Sequence, residues 1–261
     1  MTGPIINDET GEELSDDIKR LIPRDFNHYI DPFCGSMQTF IDLNQEGKLV
    51  CPMLSDPDES LINLYEYVKS MPEEFYYAFE GSYRGRTRGA LLALRKRYKE
   101  IRNHRTMEEA VTYLQINILN AIGNNSTGIS GILKRSSTGE RNLEFPTETE
   151  IVEFSRMLQK IEMKRGCYEA VRGDLSENDF LFLNLRKYSS GNYSSSIKTE
   201  QEKHFKKFLR DLEKLQSEHV YIIIKIPSHP KVMKNMCIPE NYELSRVNLD
   251  KRKKYELWKN F

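Results

Sequence analysis

The chain has 261 residues, and its 39 basic and 39 acidic side chains cancel to a formal charge of zero; a length near ~250 suits one large α/β domain or one domain carrying an insertion. With 30% charged and 38% hydrophobic residues the chain is polar, yet 12 Phe, 14 Tyr and 1 Trp are too many for disorder. No apolar run approaches the ~20 residues of a membrane span, and the acidic start MTGPIINDETGEELSDD excludes a signal peptide, so the sequence predicts a soluble intracellular protein of the cytoplasm, the nucleus or a viral particle.

Leu and aromatic residues recurring at three and four predict helices around 14–22, 57–70, 72–80, 89–102 and 107–121. Short apolar runs predict strands at 28–32, 49–54, 180–183 and 220–226, and a short helical segment with Phe40 and Leu43 follows the first. The last run, HVYIIIKI, is rich in β-branched residues, which favours strand over helix. Ahead of it, 199–216 places Phe205, Phe208, Leu209, Leu212 and Leu215 on one helical face. From about 123 to 150 the composition turns to Gly, Ser and Asn, which predicts loop or a small hairpin. Strand, helix, strand in this order implies right-handed crossovers and a mostly parallel sheet. The expected architecture is an α/β core formed by 1–70 and 151–261, with an inserted, mainly helical lobe at 71–150.

The four cysteines, Cys34, Cys51, Cys167 and Cys237, show no C-x-x-C spacing, and no histidine pair has ligand spacing. They are expected to be reduced, mostly buried thiols, with no metal site. Charge is unevenly placed. Between 84 and 105 stand nine basic residues (Arg84, Arg86, Arg88, Arg95, Lys96, Arg97, Lys99, Arg102 and Arg105) against Glu100 alone, a local charge of +8. Leu91, Leu92, Leu94, Tyr98 and Ile101 give this helix an apolar side, which leaves the cations on the other side. Such a stripe is the footprint of a phosphate-binding face, or else a solvated cationic one. Lys134, Arg135 and Arg141 extend the same charge, and the terminal DKRKKYELWKN either adds to it or is solvated.

A strand ending in PFCGS and a second, VCPMLSD, ending in Asp56 describe the ligand crevice of an open α/β sheet, where an acid after the second strand holds a ribose. Taken together, YIDPFCGSMQTF, LSDPDESLINLYEYVK, a GDL and DFLFLN resemble the Dam-type N6-adenine DNA methyltransferases along nearly the whole chain. The resemblance implies a Rossmann-like methyltransferase fold, S-adenosylmethionine as cofactor and a DNA-recognition region in the basic insert. It also implies cofactor-binding positions at Phe33, Gly35, Asp56 and Asp174. An Asp before a helix is equally a natural N-cap, so Asp56 and Asp174 have a purely structural alternative.

The chain departs from the family pattern at several places. The family's F-x-G-x-G turn has Met37 at its second glycine, and a K-W-x-G-G-K segment has no counterpart in GPIINDETGEEL. The catalytic D-P-P-Y is replaced by Asn184, Leu185, Arg186 and Lys187, followed by Tyr188. Asn184 keeps one acceptor but no charge, and Arg186 puts a cation where the cationic sulfonium belongs. The recognition pattern L-N-R-x-G is eroded to Leu119-Asn120-Ala121-Ile122-Gly123. At this length the losses read as substitution rather than truncation. The expectation is a catalytically inactive relative that needs no cofactor, serving as a binding or assembly module for DNA, another polyanion or a protein partner in a larger particle. The alternatives are a diverged active N6-adenine methyltransferase that retains the cofactor pocket, or a non-catalytic subunit of one.

Overall fold

The structure is a computed structural model that describes residues 16–48, 51–83, 85, 87–123, 146–185, 195–227, 244–247 and 255–261. The chain forms two compact units, one built on a sheet and one on helices.

The sheet unit takes in Glu13–Cys34, Asp42–Asp58 and Ile161–Phe261. Its strands are β1 (Tyr29–Asp31), β2 (Met53–Asp56), β3 (Glu162–Arg165), β4 (Phe180–Asn184), β5 (Tyr221–Pro227), β6 (Ser245–Arg246) and β7 (Tyr255–Lys259). They lie in the order β3-β2-β1-β4-β5-β7-β6. β1 to β5 run parallel, β7 is antiparallel to β5, and β6 is antiparallel to β7. The mostly parallel α/β sheet expected from the sequence is therefore present. Ile222, Ile223 and Ile224 of β5 are all buried, as a central strand covered on both faces requires. α1 (Asp16–Leu21), α8 (Tyr168–Val171) and α9 (Ser195–Ser217) complete the unit. Phe205, Phe208, Leu212 and Leu215 of α9 join Ile30, Leu181, Leu183 and Ile224 in one buried cluster, so the predicted apolar face of 199–216 is the core-facing one.

One expectation changes here. Of the terminal DKRKKYELWKN, 250–254 lie outside the described residues, while YELWK is not solvated tail but β7, with Tyr255 and Leu257 buried and in register with Pro227 and Lys225. Among the described cysteines, Cys34 and Cys167 are buried but Cys51 is exposed.

The helical unit contains Gly35–Ile41 and Glu59–Lys160. Its helices are α3 (Glu59–Ser70), α4 (Pro72–Ser82), α5 (Arg88–Ile101), α6 (Met107–Gly123) and α7 (Glu148–Leu158), while α2 (Gln38–Gln45) carries the chain from this unit into the other. α3 packs on α6 and α7, and α5 packs on α6. Local chemistry sets the helix starts. Pro72 opens α4, where the missing N–H costs nothing. Thr87 caps α5 by accepting from the Ala90 N–H at 3.1 Å. Thr147 and Glu150 form a reciprocal capping box at α7. Among the described residues no helix is long and apolar enough to cross a membrane.

Candidate cofactor crevice and basic helix

The strand order reverses between β1 and β4, and in open α/β sheets ligands bind at such a switch point, outside the carboxyl ends of the strands. β1 ends there in Asp31. One carboxylate oxygen of Asp31 accepts from the Phe33 N–H (3.0 Å) and the other from the Tyr29 hydroxyl (3.2 Å), which folds the chain sharply at Pro32. The Cys34 N–H then donates to the Ser55 carbonyl at 3.0 Å and ties this turn to β2. Phe33 points into the buried cluster beside Leu183 and Leu185. Its position in the family motif is thus filled by a core side chain.

Within the helical unit the same turn continues through Gly35, with φ +50°, whose carbonyl accepts from the buried Tyr65 hydroxyl at 2.6 Å. Met37 follows with φ +57° and only 1% exposure. Its carbonyl accepts the Ile41 N–H to begin α2. The left-handed region suits glycine and costs a side-chain-bearing residue about 1–2 kcal/mol. The second glycine position of the family motif has therefore kept a glycine conformation while acquiring a buried methionine.

Asp56 ends β2 and is 3% exposed. One of its oxygens accepts from the Asp58 N–H at 2.9 Å, an Asx turn that leads into α3. Its carbonyl accepts from Gly166 at 3.1 Å, just beyond β3. Asp174 lies in a 3-10 turn (Arg172–Asp174), exposed, and forms an ion pair with Lys164 at 2.6 Å. That bond holds the Lys164 ammonium above the ordinary lysine range. At the end of β4, Asn184 is half-buried opposite Lys225, and the Leu185 N–H extends the ladder to the Lys225 carbonyl at 3.0 Å. Leu185 is buried in the same cluster as Phe33. Arg186, Lys187 and Tyr188 lie outside the described residues, as do Arg84, Arg86, Lys134, Arg135, Arg141 and Cys237.

The basic helix is α5. Arg88, Arg95, Lys96, Lys99 and Arg102 are exposed on or next to it, and Leu91 and Ile101 are buried. Leu92 departs from its expected place on the apolar side, since it is 55% exposed among the cations. Arg97 is fully engaged. Its Nε and Nη2 donate to the two oxygens of Glu108 (2.6 and 2.9 Å), and Nη1 donates to Glu100 (3.1 Å). The guanidinium accordingly draws the Glu108 carboxyl below its ordinary range. Arg105 pairs with Glu59 at 3.4 Å. Glu108 and Glu59 lie outside the 84–105 window, so the +8 counted along the chain overstates the charge that α5 presents in space.

Sequence reasoning missed the device that holds α5 in place. Glu109 is buried, and its carboxylate accepts from the Ser60 hydroxyl (2.6 Å), the Asn103 N–H (3.1 Å) and the Arg105 N–H (2.8 Å). Tyr98 of α5 donates in turn to Ser60 at 2.7 Å. The signal was present as T-x-x-E, Thr106 to Glu109, a capping pattern in which the Thr106 hydroxyl accepts from the Glu109 N–H at 3.2 Å. The eroded recognition pattern beginning at Leu119 falls in the last turn of α6, where Leu119 itself is buried.

Among curated proteins none matches the chain. Among solved structures it is similar to the rRNA methyltransferase aviRa from Streptomyces viridochromogenes, at 11% identity and a TM-score of 0.41, over 99% of this chain and 90% of that one. Residues 12–234 match the family described as D12 class N6 adenine-specific DNA methyltransferase. That match spans most of the sequence and agrees with the motifs placed at the ends of β1, β2 and β4, so the chain belongs to the D12 class N6 adenine-specific DNA methyltransferase family.

Proposed function

We propose that this family member is catalytically inactive and serves as a binding or assembly module that grips a polyanion, DNA in the first instance, through the exposed cations of α5. Met37 carries the reading. In the family that position is glycine, so that the backbone can approach the methionine part of S-adenosylmethionine. Here a Cβ and a thioether stand on a left-handed backbone and are buried. Asp56 is likewise committed to the Asp58 N–H and nearly inaccessible. These residues do not fit the cofactor. The sequence N-L-R-K, where the family has D-P-P-Y, supports the same conclusion, since Asn184 keeps an acceptor but not the charge, and Leu185 does not supply the proline turn, of the family's motif.

Methyl transfer from radiolabelled S-adenosylmethionine to unmethylated DNA tests the inactivity; incorporation above background overturns it. DNA binding has its own signature. Affinity falls steeply with salt as counterions are released, and each phosphate contact removed lowers the log–log slope by roughly 1. Lys96→Ala and Lys99→Ala are expected to reduce the slope, whereas Arg97→Ala leaves it nearly unchanged because Glu108 and Glu100 already occupy that guanidinium. Equal effects from all three would remove the basis for assigning the grip to α5.

A second reading, a diverged active N6-adenine methyltransferase or a non-catalytic subunit of one, is favoured by Asn184. Its half-buried amide sits at the carboxyl end of β4, where it still offers one acceptor to an amino group.

A further inference from the structure

The family's chemistry belongs to the carboxyl ends of the strands, but the sheet unit has a second concavity at their amino ends. A cavity of about 460 Å³ opens beside the starts of β1, β2, β4 and β5, lined by Arg24, Phe26, Asn27, Lys48, Asn178 and Tyr221. We propose that this cavity is a binding site for a nucleoside monophosphate, with the phosphate on Arg24 and Lys48 and the base against the rings of Tyr221 and Phe26. It lies at the opposite end of the strands from the crevice described above, and no residue of α5 lines it.

Three observations support the assignment. First, the walls are preformed. The Asn27 N–H donates to the Asn178 carbonyl (2.9 Å) and its side-chain amide to the Glu177 carbonyl (2.8 Å). Asn178 donates to His219 (3.3 Å) and Tyr221 to Asp179 (2.8 Å), while His28 bonds the fully buried Asp179 at 2.7 Å. These bonds fix the loops ahead of β1, β4 and β5 before any ligand arrives, which lowers the ordering cost of binding.

Second, the cations are placed for an anion. Among the described residues Arg24 is exposed and makes no ion pair, so its planar fork is open to phosphate. Lys48 reaches the cavity through a Schellman turn that ends α2. The Lys48 N–H donates to Leu43 and the Gly47 N–H to Asn44, with Gly47 at φ +68°. Its ammonium is shared with Glu46 at 2.8 Å, so Arg24 is the principal contact and Lys48 the secondary one. Asp25 is the acid in the lining, and with the Lys48 ammonium shared with Glu46 it is Arg24 that supplies the cation for the phosphate.

Third, the remaining wall suits a base. Tyr221 is held edge-on by Phe261 (centroids 5.4 Å apart), and Phe26 packs tilted at 59° on Phe180 (5.5 Å), so both rings are positioned without ligand. Aromatic rings accept any nucleobase face, and the Asn178 amide and Asn27 amide oxygen offer hydrogen bonds to its edge. The volume lies within the roughly 300–1,000 Å³ of small-ligand pockets.

Calorimetric titration of the full chain with adenosine 5′-monophosphate, adenosine and inorganic phosphate decides the matter. The expected result is that the monophosphate binds at least about tenfold more tightly than either fragment, that Arg24→Gln weakens it about tenfold or more, and that Tyr221→Leu weakens it about tenfold. Arg24 is exposed, so its variant should keep the wild-type melting temperature. No binding of the monophosphate at millimolar concentration, affinity equal to that of phosphate alone, or affinity indifferent to Arg24→Gln would each overturn the proposal.

Discussion

The turn after β1 and the turn between α5 and α6 both place non-glycine residues at positive φ, and they differ in what holds them there. In the first, Met37 (φ +57°) is buried, and what accompanies its strained backbone is an apolar side chain packed out of water. In the second, Asn103 (φ +68°) and Arg105 (φ +57°) are exposed, and the backbone N–H of each is secured by the carboxylate of Glu109. Asparagine visits this region readily and methionine does not. A polar network thus over-determines the α5–α6 turn, whereas burial of one thioether compensates the turn after β1. The polar network is a way to fix a helix, and the buried methionine is, in our proposal, a way to close a place where the family pattern has glycine.

The largest effect is expected at the polar turn. Glu109→Ala leaves the Ser60 hydroxyl and two backbone N–H groups without their acceptor and should cost about 3 kcal/mol in urea denaturation. A loss below about 1 kcal/mol would mean that water replaces the carboxylate and the turn does not depend on it. Next comes Met37→Gly. Removing a buried methionine side chain costs about 2–5 kcal/mol and relieving the left-handed strain returns about 1–2, so a net loss of about 2 kcal/mol is expected. If the variant is instead more stable than wild type, the methionine is not a packing element and the comparison between the turns fails. Asn103→Gly should change stability by less than about 0.5 kcal/mol, because the relief of strain is offset by the greater freedom of glycine in the unfolded chain.

The smallest effect is that of the exposed Arg97–Glu108 pair. Hydrogen bonding to Arg97 lowers the Glu108 carboxyl from its ordinary value of 4.5 in the folded state. A lowered folded pKa gives a contribution that is complete above the unfolded value and is lost as pH falls through the folded one. Comparing Glu108→Gln with wild type should therefore show a small stability difference at pH 7 that vanishes under acid. Both side chains are about half exposed, so salt should shrink it as well. A difference that grew on acidification would reverse the sign of the coupling.

The elements that were legible in the sequence are those whose burial is strong and periodic. β5 is visible as IIIKI because a central parallel strand is apolar on both faces. α9 and α3 show their helical stripes for the same reason. β3 was not legible: EMKR is an edge strand, largely solvent-facing, and no apolar pattern marks it. β7 was hidden because its buried Tyr255 and Leu257 alternate with residues that read as a charged terminus. At the site, the substitutions Met37 and Asn184 were plain from motif comparison. The left-handed backbone under Met37, the turn made by Asp56 and the pairing of Arg97 are properties of space and required the structure. The cavity ahead of β1 and β4 left no trace in the sequence, since its lining comes from three separate loops and the start of β5, joined only by the sheet.

The central claim is that the turn after β1 has lost the cofactor. Isothermal titration of the purified chain with S-adenosylmethionine tests it most directly. No saturable heat is expected up to about 1 mM ligand, the upper end of the range in which enzymes commonly hold their substrates. Stoichiometric binding with micromolar affinity would contradict it.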